Sequence, residues 1–181
     1  MERERLLIMM EIAIMAAIGG ILSNYVAIQI WPQGGSASLV MVPIAILAFR
    51  RGWVAGMVTG LLVGLINLMI KPYITHPVQV ILDYPLAFAL LGLAGLFSLS
   101  NKKAEINMKR MSLGVVVAGL ARLSSHFISG VVWFGSNAPK GWPVALYSLY
   151  YNATYMVIDI SVTIAIMIFL LKKAPHLAVR R

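Results

Sequence analysis

The sequence predicts an all-α fold: a polytopic membrane protein of six transmembrane helices, one domain over residues 1–181, with both termini cytoplasmic. Three observations carry this. Hydrophobic residues make up 60% of the chain and charged ones 12%, with a mean hydropathy of +0.87; an ordinary soluble domain carries about 25% charged residues. The apolar residues gather into runs, most of them near the ~20 helical residues that a hydrocarbon core requires. The basic residues sit between those runs, almost all on one side.

The first span runs from Leu6 to about Val26, entered from the charged end Glu2-Arg3-Glu4-Arg5. Arg3 and Arg5 before an apolar run resemble a signal peptide. No small-residue cleavage site follows cleanly and further hydrophobic segments do, so the segment is read as a retained helix. Ala13 and Ala17 share one face of it, a spacing that lets another helix backbone come close in lipid. That face serves either internal packing or a docked subunit.

Residues 27–38, which include Trp31-Pro-Gln33-Gly-Gly-Ser, are uncharged and rich in turn formers, and read as a loop at the membrane surface. Trp31 is either an interfacial belt residue or part of a lid over a site. The second apolar run, Leu39 to Phe49, is short and contains Pro43. It either begins earlier, in the Gly-Gly-Ser segment, or is a broken helix. Arg50-Arg51 mark the next turn, and the third span, Trp53 to Ile70, carries Gly56, Gly60 and Gly64 as a small-residue packing stripe. The connection 71–77 leads to the fourth span, Val78 to Leu99, and the basic loop from Asn101 to Arg110 follows. The fifth span runs from about Leu113 to Phe134, and the sixth from Val144 to Leu171 before a basic tail.

Six spans return the chain to the side on which it began. Of the 15 Lys and Arg residues, Arg3, Arg5, Arg50, Arg51, Lys102, Lys103, Lys109, Arg110, Lys172, Lys173, Arg180 and Arg181 fall on that side. Only Lys71 and Lys140 lie opposite, and Arg122 is inside a helix. This positive-inside pattern makes both ends cytoplasmic. Charges so placed report topology in a lipid bilayer and not a nucleic-acid partner. The absence of cysteine excludes disulfides, thiol catalysis and Cys-based metal sites. There is no Walker A, HExxH or GxSxG motif and no nucleophile–base pair, and His76, His126 and His176 lack metal-ligand spacing. The chain is therefore read as a non-enzyme with no cofactor of its own.

Asp83 is the residue that needs explaining. It lies one to two turns inside the fourth span, where a lone carboxylate costs at least about 2.5–3.5 kcal/mol unless it faces protein or a water-filled cavity. At about 1.5 Å per residue, Asp83, Tyr147, Asn152 and His126 fall at one depth, roughly 5–12 Å below the outer surface. Trp133 and Phe134 and the loops bearing Trp31, Tyr73 and His76 sit just above. A polar pocket with aromatic walls, opening outward, fits a small organic cation: a carboxylate accepts two hydrogen bonds side by side, and aromatic faces attract a cationic ring. Arg122 and Asp159 fall near the bilayer middle at a depth where they can pair, which is read as structural. Glu11 lies close to the cytoplasmic end, where it can snorkel.

Several motifs occur together in order: Pro32-Gln-Gly-Gly-Ser, Arg50-Arg-Gly, His76-Pro-Val-Gln-x-x-x-Asp-Tyr84, Gly92-Leu-Ala-Gly-Leu-Phe97, Ala121-Arg-x-x-x-His126-Phe-Ile-Ser-Gly130, Gly135-x-x-Ala-Pro139 and Leu146-Tyr-Ser…Asn152. Over residues 6–165 the chain resembles the ThiT family, thiamine-specific substrate-binding (S) components of energy-coupling factor (ECF) transporters. The resemblance implies a six-helix S-component domain in a prokaryotic plasma membrane that binds thiamine from outside. A transmembrane coupling subunit and two cytoplasmic ATPases would drive uptake, ATP being used by those ATPases. Asp83 would hold the aminopyrimidine, and His126, Tyr147 and Asn152 would add polar contacts. Tyr84, Trp133 and Phe134 would sandwich the rings, Gly130 belongs to the His126 motif, Tyr73 to the outer rim, and Trp31 to a closing loop. Ala13 and Ala17 would contact the coupling subunit. Two positions depart from the family pattern: Asp83 stands where Glu is common, and Trp133 precedes Phe134 where the Trp often follows. An S component for another heterocyclic vitamin and a self-sufficient proton-coupled carrier are the alternatives; a neutral or anionic ligand would have no use for Asp83.

Overall fold

The computed structural model describes residues 2–31, 35–97 and 107–178. Pro32, Gln33 and Gly34 of the first loop, the end of the fourth span at Leu99, Lys102 and Lys103 of the basic loop, and Arg180 and Arg181 of the tail lie outside the described residues. Among the described residues the fold is helical apart from one short hairpin. The helices are α1 (Glu2–Tyr25), α2 (Met41–Arg51), α3 (Trp53–Ile70), α4 (Pro77–Phe97), α5 (Met108–Trp133) and α6 (Val144–Lys173). All but α2 are long and apolar enough to cross a membrane, so the expected all-α polytopic class stands.

α2 is short because the chain before it is not helical. Ile28–Gln29 (β1) and Ser36–Ala37 (β2) form an antiparallel hairpin, with Ile28 opposite Ala37. The expectation of a surface loop over 27–38 is corrected at its second half: Gly35, Ala37 and Ser38 are buried. Non-helical backbone survives at membrane depth only where protein supplies its hydrogen bonds. The Gly35 carbonyl accepts the Ile30 and Trp31 N–H groups at 2.8 and 2.9 Å. The Gly35 N–H reaches the Tyr151 hydroxyl at 2.9 Å, and the Ser38 N–H reaches Asp159 Oδ1 at 2.6 Å. The chain therefore enters as a ribbon and continues as α2, whose residues from Met41 to Phe49 are buried on every side among α1, α3, α4 and α6.

Glycines set the close approaches. At Gly60 and Gly64 of α3, a Cβ would run into the backbone carbonyls of Phe88 and Tyr84, so α3 and α4 meet backbone to backbone. Gly52 joins α2 to α3 at φ +97°, with open space where a Cβ would sit, so its requirement is conformational. Ala16, Gly19 and Gly20 turn α1 toward Val63, Ile66 and Pro43, while Ala13 and Ala17 remain exposed on the outer face. Glu11 does not simply snorkel: α1 passes beside the α2–α3 turn, and the carboxylate pairs with Arg51 Nε at 2.7 Å and Arg50 Nη2 at 3.1 Å.

α4 positions the site. His76 caps its first turn, its Nδ1 accepting the Val78 N–H at 3.2 Å, and Pro77 follows where a missing N–H costs nothing. From Leu82 to Leu86 the helix widens into a π turn containing Asp83, Tyr84 and Pro85. Pro85 cannot donate to an α-helical ladder and would crowd the preceding turn, and an extra residue per turn relieves the clash. Ser125 of α5 donates to the Leu82 carbonyl at 2.6 Å.

Candidate functional site

A cavity of about 520 Å³ opens at the end of the molecule opposite the α2–α3 turn, in the range that small organic ligands occupy. Its walls come from the ends of α1 and α3, the hairpin, the first halves of α4 and α6, and the second half of α5. Asp83, Tyr84, His126, Gly130, Phe134, Tyr147, Asn152 and Tyr73 all line it.

Asp83 is held by neighbours on α4 and α5. Gln79 Nε2 and Ser129 Oγ each donate to Oδ2 at 2.7 Å, and His126 Nδ1 lies 3.0 Å from Oδ1. Among the described residues, no Lys or Arg side chain touches it. Gln79 is itself saturated. Its second amide proton goes to the Tyr73 carbonyl at 3.2 Å, and its oxygen accepts both the Thr75 N–H and the Thr75 hydroxyl at 3.1 Å. This arrangement fixes the orientation of the amide and ties the outer loop to the carboxylate.

The aromatic residues divide between wall and scaffold. Tyr84 spends its hydroxyl on the loop, accepting the Tyr73 N–H at 2.8 Å and donating to the Lys71 carbonyl at 3.0 Å, so that its ring is what the cavity meets. The Tyr73 and Phe134 rings lie 5.7 Å apart at the rim. Tyr147 presents a hydroxyl that makes no hydrogen bond among the described residues. Trp31 and Trp133 are not brought to the cavity. Trp31 stacks on Tyr151 at 5.5 Å and donates to Thr154 at 2.8 Å, behind the wall. Trp133 stacks on His76 at 5.2 Å, leaving its neighbour Phe134 to face inward.

Gly130 and Asn152 also hold the helices together. A Cβ at Gly130 would overlap the Ser148 hydroxyl, which donates to the Phe127 carbonyl at 2.9 Å across α5 and α6. Within α6, Asn152 donates to the Ser148 carbonyl at 2.9 Å and accepts the Tyr155 hydroxyl at 2.5 Å, and it reaches across to the His126 carbonyl of α5 at 3.4 Å. Arg122 and Asp159 pair at 3.2 Å as expected, but Arg122 also lines the cavity.

Sequence reasoning missed Gln79, Ser129, Tyr151 and Tyr155 as cavity or support residues. The available signal was spacing: Gln79 lies four before Asp83, and Tyr151 and Tyr155 continue the Tyr147 face of α6 at four-residue steps. Among the described residues, no group of three or more His, Cys, Asp or Glu side chains is placed to hold a metal ion.

Comparisons with known proteins agree with one another. A family model described as a thiamine transporter protein matches residues 9–179. The thiamine transporter ThiT of Bacillus subtilis (strain 168) is 42% identical over 97% of this chain and 96% of its own length. The thiamine transporter ThiT of Lacticaseibacillus paracasei is 33% identical over 99% of this chain and 94% of its own. A solved structure of ThiT from Listeria monocytogenes superposes with a TM-score of 0.89 at 33% identity, covering 97% of this chain and 99% of that one.

Proposed function

The chain belongs to the thiamine transporter protein family, and from that premise we propose that it is the thiamine-binding S component of an ECF-type transporter. Thiamine enters the cavity from outside, and Asp83 receives its aminopyrimidine. The observation that carries this reading is the state of Asp83: a carboxylate beside a cavity, held by Gln79, Ser129 and His126 with no Lys or Arg in contact among the described residues. Such a group is preorganised for a charge-assisted pair with a cationic heterocycle. The rings of Tyr84, Phe134 and Tyr73 supply flat faces, and Tyr147 a hydroxyl that makes no hydrogen bond among the described residues.

In this reading uptake draws on a transmembrane coupling subunit and two cytoplasmic ATPases, as the resemblance to ThiT implies. Ala13 and Ala17, exposed on α1, are the proposed contact with the coupling subunit. The reading places both termini in the cytoplasm, which the distribution of Lys and Arg supports. The alternative that this reading must displace is a self-sufficient carrier using Asp83, Arg122 and Asp159 as a proton relay.

Two measurements on purified protein test it. Thiamine is expected to bind saturably in a calorimetric titration, and a flat titration would mean another ligand. In proteoliposomes holding this chain alone, an imposed proton gradient is expected to drive no thiamine accumulation; accumulation would overturn the S-component assignment in favour of a carrier.

A further inference from the structure

The cavity has a second polar wall, built on α1 and α3 and opposite in kind to Asp83. Asn24 Nδ2 donates to the Gly20 carbonyl at 2.9 Å and to Asn67 Oδ1 at 2.6 Å. A carbonyl only accepts, so Gly20 fixes the orientation of the Asn24 amide, and Asn24 in turn draws the oxygen of the Asn67 amide toward itself. Asn67 Nδ2 is left over. It is buried, in a residue 7% exposed, and makes no hydrogen bond among the described residues. One turn on, Lys71 Nζ donates to the Asn24 carbonyl at 3.1 Å, one of the last carbonyls of α1, which the helix itself cannot satisfy. That contact uses one of the three ammonium protons. No carboxylate pairs with Lys71 among the described residues. Asn24, Asn67 and Lys71 all line the cavity.

Capping α1 accounts for the contact between Lys71 and Asn24 but not for the Asn67 amide. A buried donor without a partner is costly, and an ammonium stands beside it on the side where Lys and Arg are scarce. The cavity therefore has an acceptor pole, Asp83, held from α4 and α5, and a donor pole at the end of α3. A ligand that matches both carries a cationic, donor-bearing heterocycle at one end and an acceptor-rich group at the other. Thiamine supplies the first. Its terminal hydroxyl is where a phosphate monoester supplies the second, with a charge of about −1.5 to −2 at neutral pH.

We propose that Asn67 Nδ2 and Lys71 Nζ form a donor subsite for the oxygen-bearing tail of the ligand, favouring a phosphate ester over the free hydroxyl, so that Lys71 sets how the chain ranks thiamine and thiamine monophosphate. The inference rests on the reading of Asp83 as the acid that meets the aminopyrimidine, which leaves the other end of the ligand for the wall of α1 and α3.

The test is calorimetric titration of purified full-length protein with thiamine and with thiamine monophosphate, read as the ratio of the two Kd values. Lys71 is exposed, and Lys71→Met keeps the stem without the charge, so the variant is expected to fold, as its melting temperature will show. It is expected to weaken binding of the monophosphate at least about tenfold more than binding of thiamine, the scale of one charge-assisted hydrogen bond. Lys71→Arg, which keeps the cation, is expected to retain the wild-type ratio. Asn67→Asp keeps the oxygen that Asn24 needs and replaces the spare donor by an acceptor, and is expected to shift the ratio in the same direction as Lys71→Met. A ratio unchanged in Lys71→Met, or a wild-type protein that binds thiamine but not the monophosphate, overturns the proposal. Asp83→Asn titrated with both ligands separates the two readings. Affinity for both is expected to fall together there, and thiamine binding left unchanged would overturn the Asp83 assignment while the Lys71 ratio is read independently.

Discussion

A carboxylate has about four lone-pair positions, and Asp83 has three filled by Gln79, Ser129 and His126. What remains is an oriented acceptor in a cavity. Asp83, His126 and Asn152 were legible in the sequence because each is polar within an apolar run, where an unsatisfied group is costly. Gln79 and Ser129 were not, since glutamine and serine are ordinary helix residues until a neighbour gives them a task. The buried face Ser148, Asn152, Tyr155, Asp159 and Thr163 of α6 is a polar stripe at helical spacing, which single-residue scrutiny of the sixth span overlooks. The site residues also separate by role. Tyr147→Phe removes a hydroxyl without a hydrogen-bond partner among the described residues, so thiamine affinity is expected to fall roughly two- to tenfold with the melting temperature unchanged. Asn152→Leu breaks hydrogen bonds to Ser148 and Tyr155, so calorimetry is expected to show lost stability as well as lost binding.

Helical spans could be read from hydropathy because a bilayer demands long apolar runs, and the ends of α1, α3, α5 and α6 fall within a few residues of expectation. The hairpin could not be read in this way. Gly35, Ser36, Ala37 and Ser38 have the composition of a surface loop, and their burial depends on acceptors from Tyr151 and Asp159, more than a hundred residues away in sequence. The π turn was equally hidden: Pro85 signals a disturbed helix, but not whether the helix kinks, ends or widens. That turn depends on the glycine stripe behind it. Gly64→Val would push side-chain carbon into the Tyr84 carbonyl, so a loss of about 1–3 kcal/mol or more is expected. Thiamine affinity should fall with it, measurable by melting and titration of the same preparation; a stable variant with full affinity would mean that α3 does not support the site. Gly52→Ala tests backbone conformation alone, since nothing occupies the space its Cβ would take. A loss of about 1–2 kcal/mol in thermal stability is expected there, with binding intact.

At the scale of the whole molecule, one end holds the cavity and the other holds the Glu11–Arg50–Arg51 cluster at the α2–α3 turn. The division follows from the sequence: basic residues mark one side, and turn-rich, aromatic connections mark the other. α1 shows both faces of the small-residue pattern, with Ala16, Gly19 and Gly20 packed inward and Ala13 and Ala17 turned outward. Sequence alone left these uses undivided because both need small side chains. Ala17→Leu is expected to leave thiamine binding by purified protein unchanged while abolishing uptake in cells that supply the ECF partners; normal uptake would remove this face from the proposed docking. The claim beneath the whole account is that the Asp83 carboxylate is the ligand's counter-charge. Equilibrium titration of purified wild-type and Asp83→Asn protein with thiamine tests it most directly: the variant, near-isosteric but uncharged and with one acceptor oxygen exchanged for an NH2 donor, is predicted to bind at least about tenfold more weakly, and equal affinity would contradict the account.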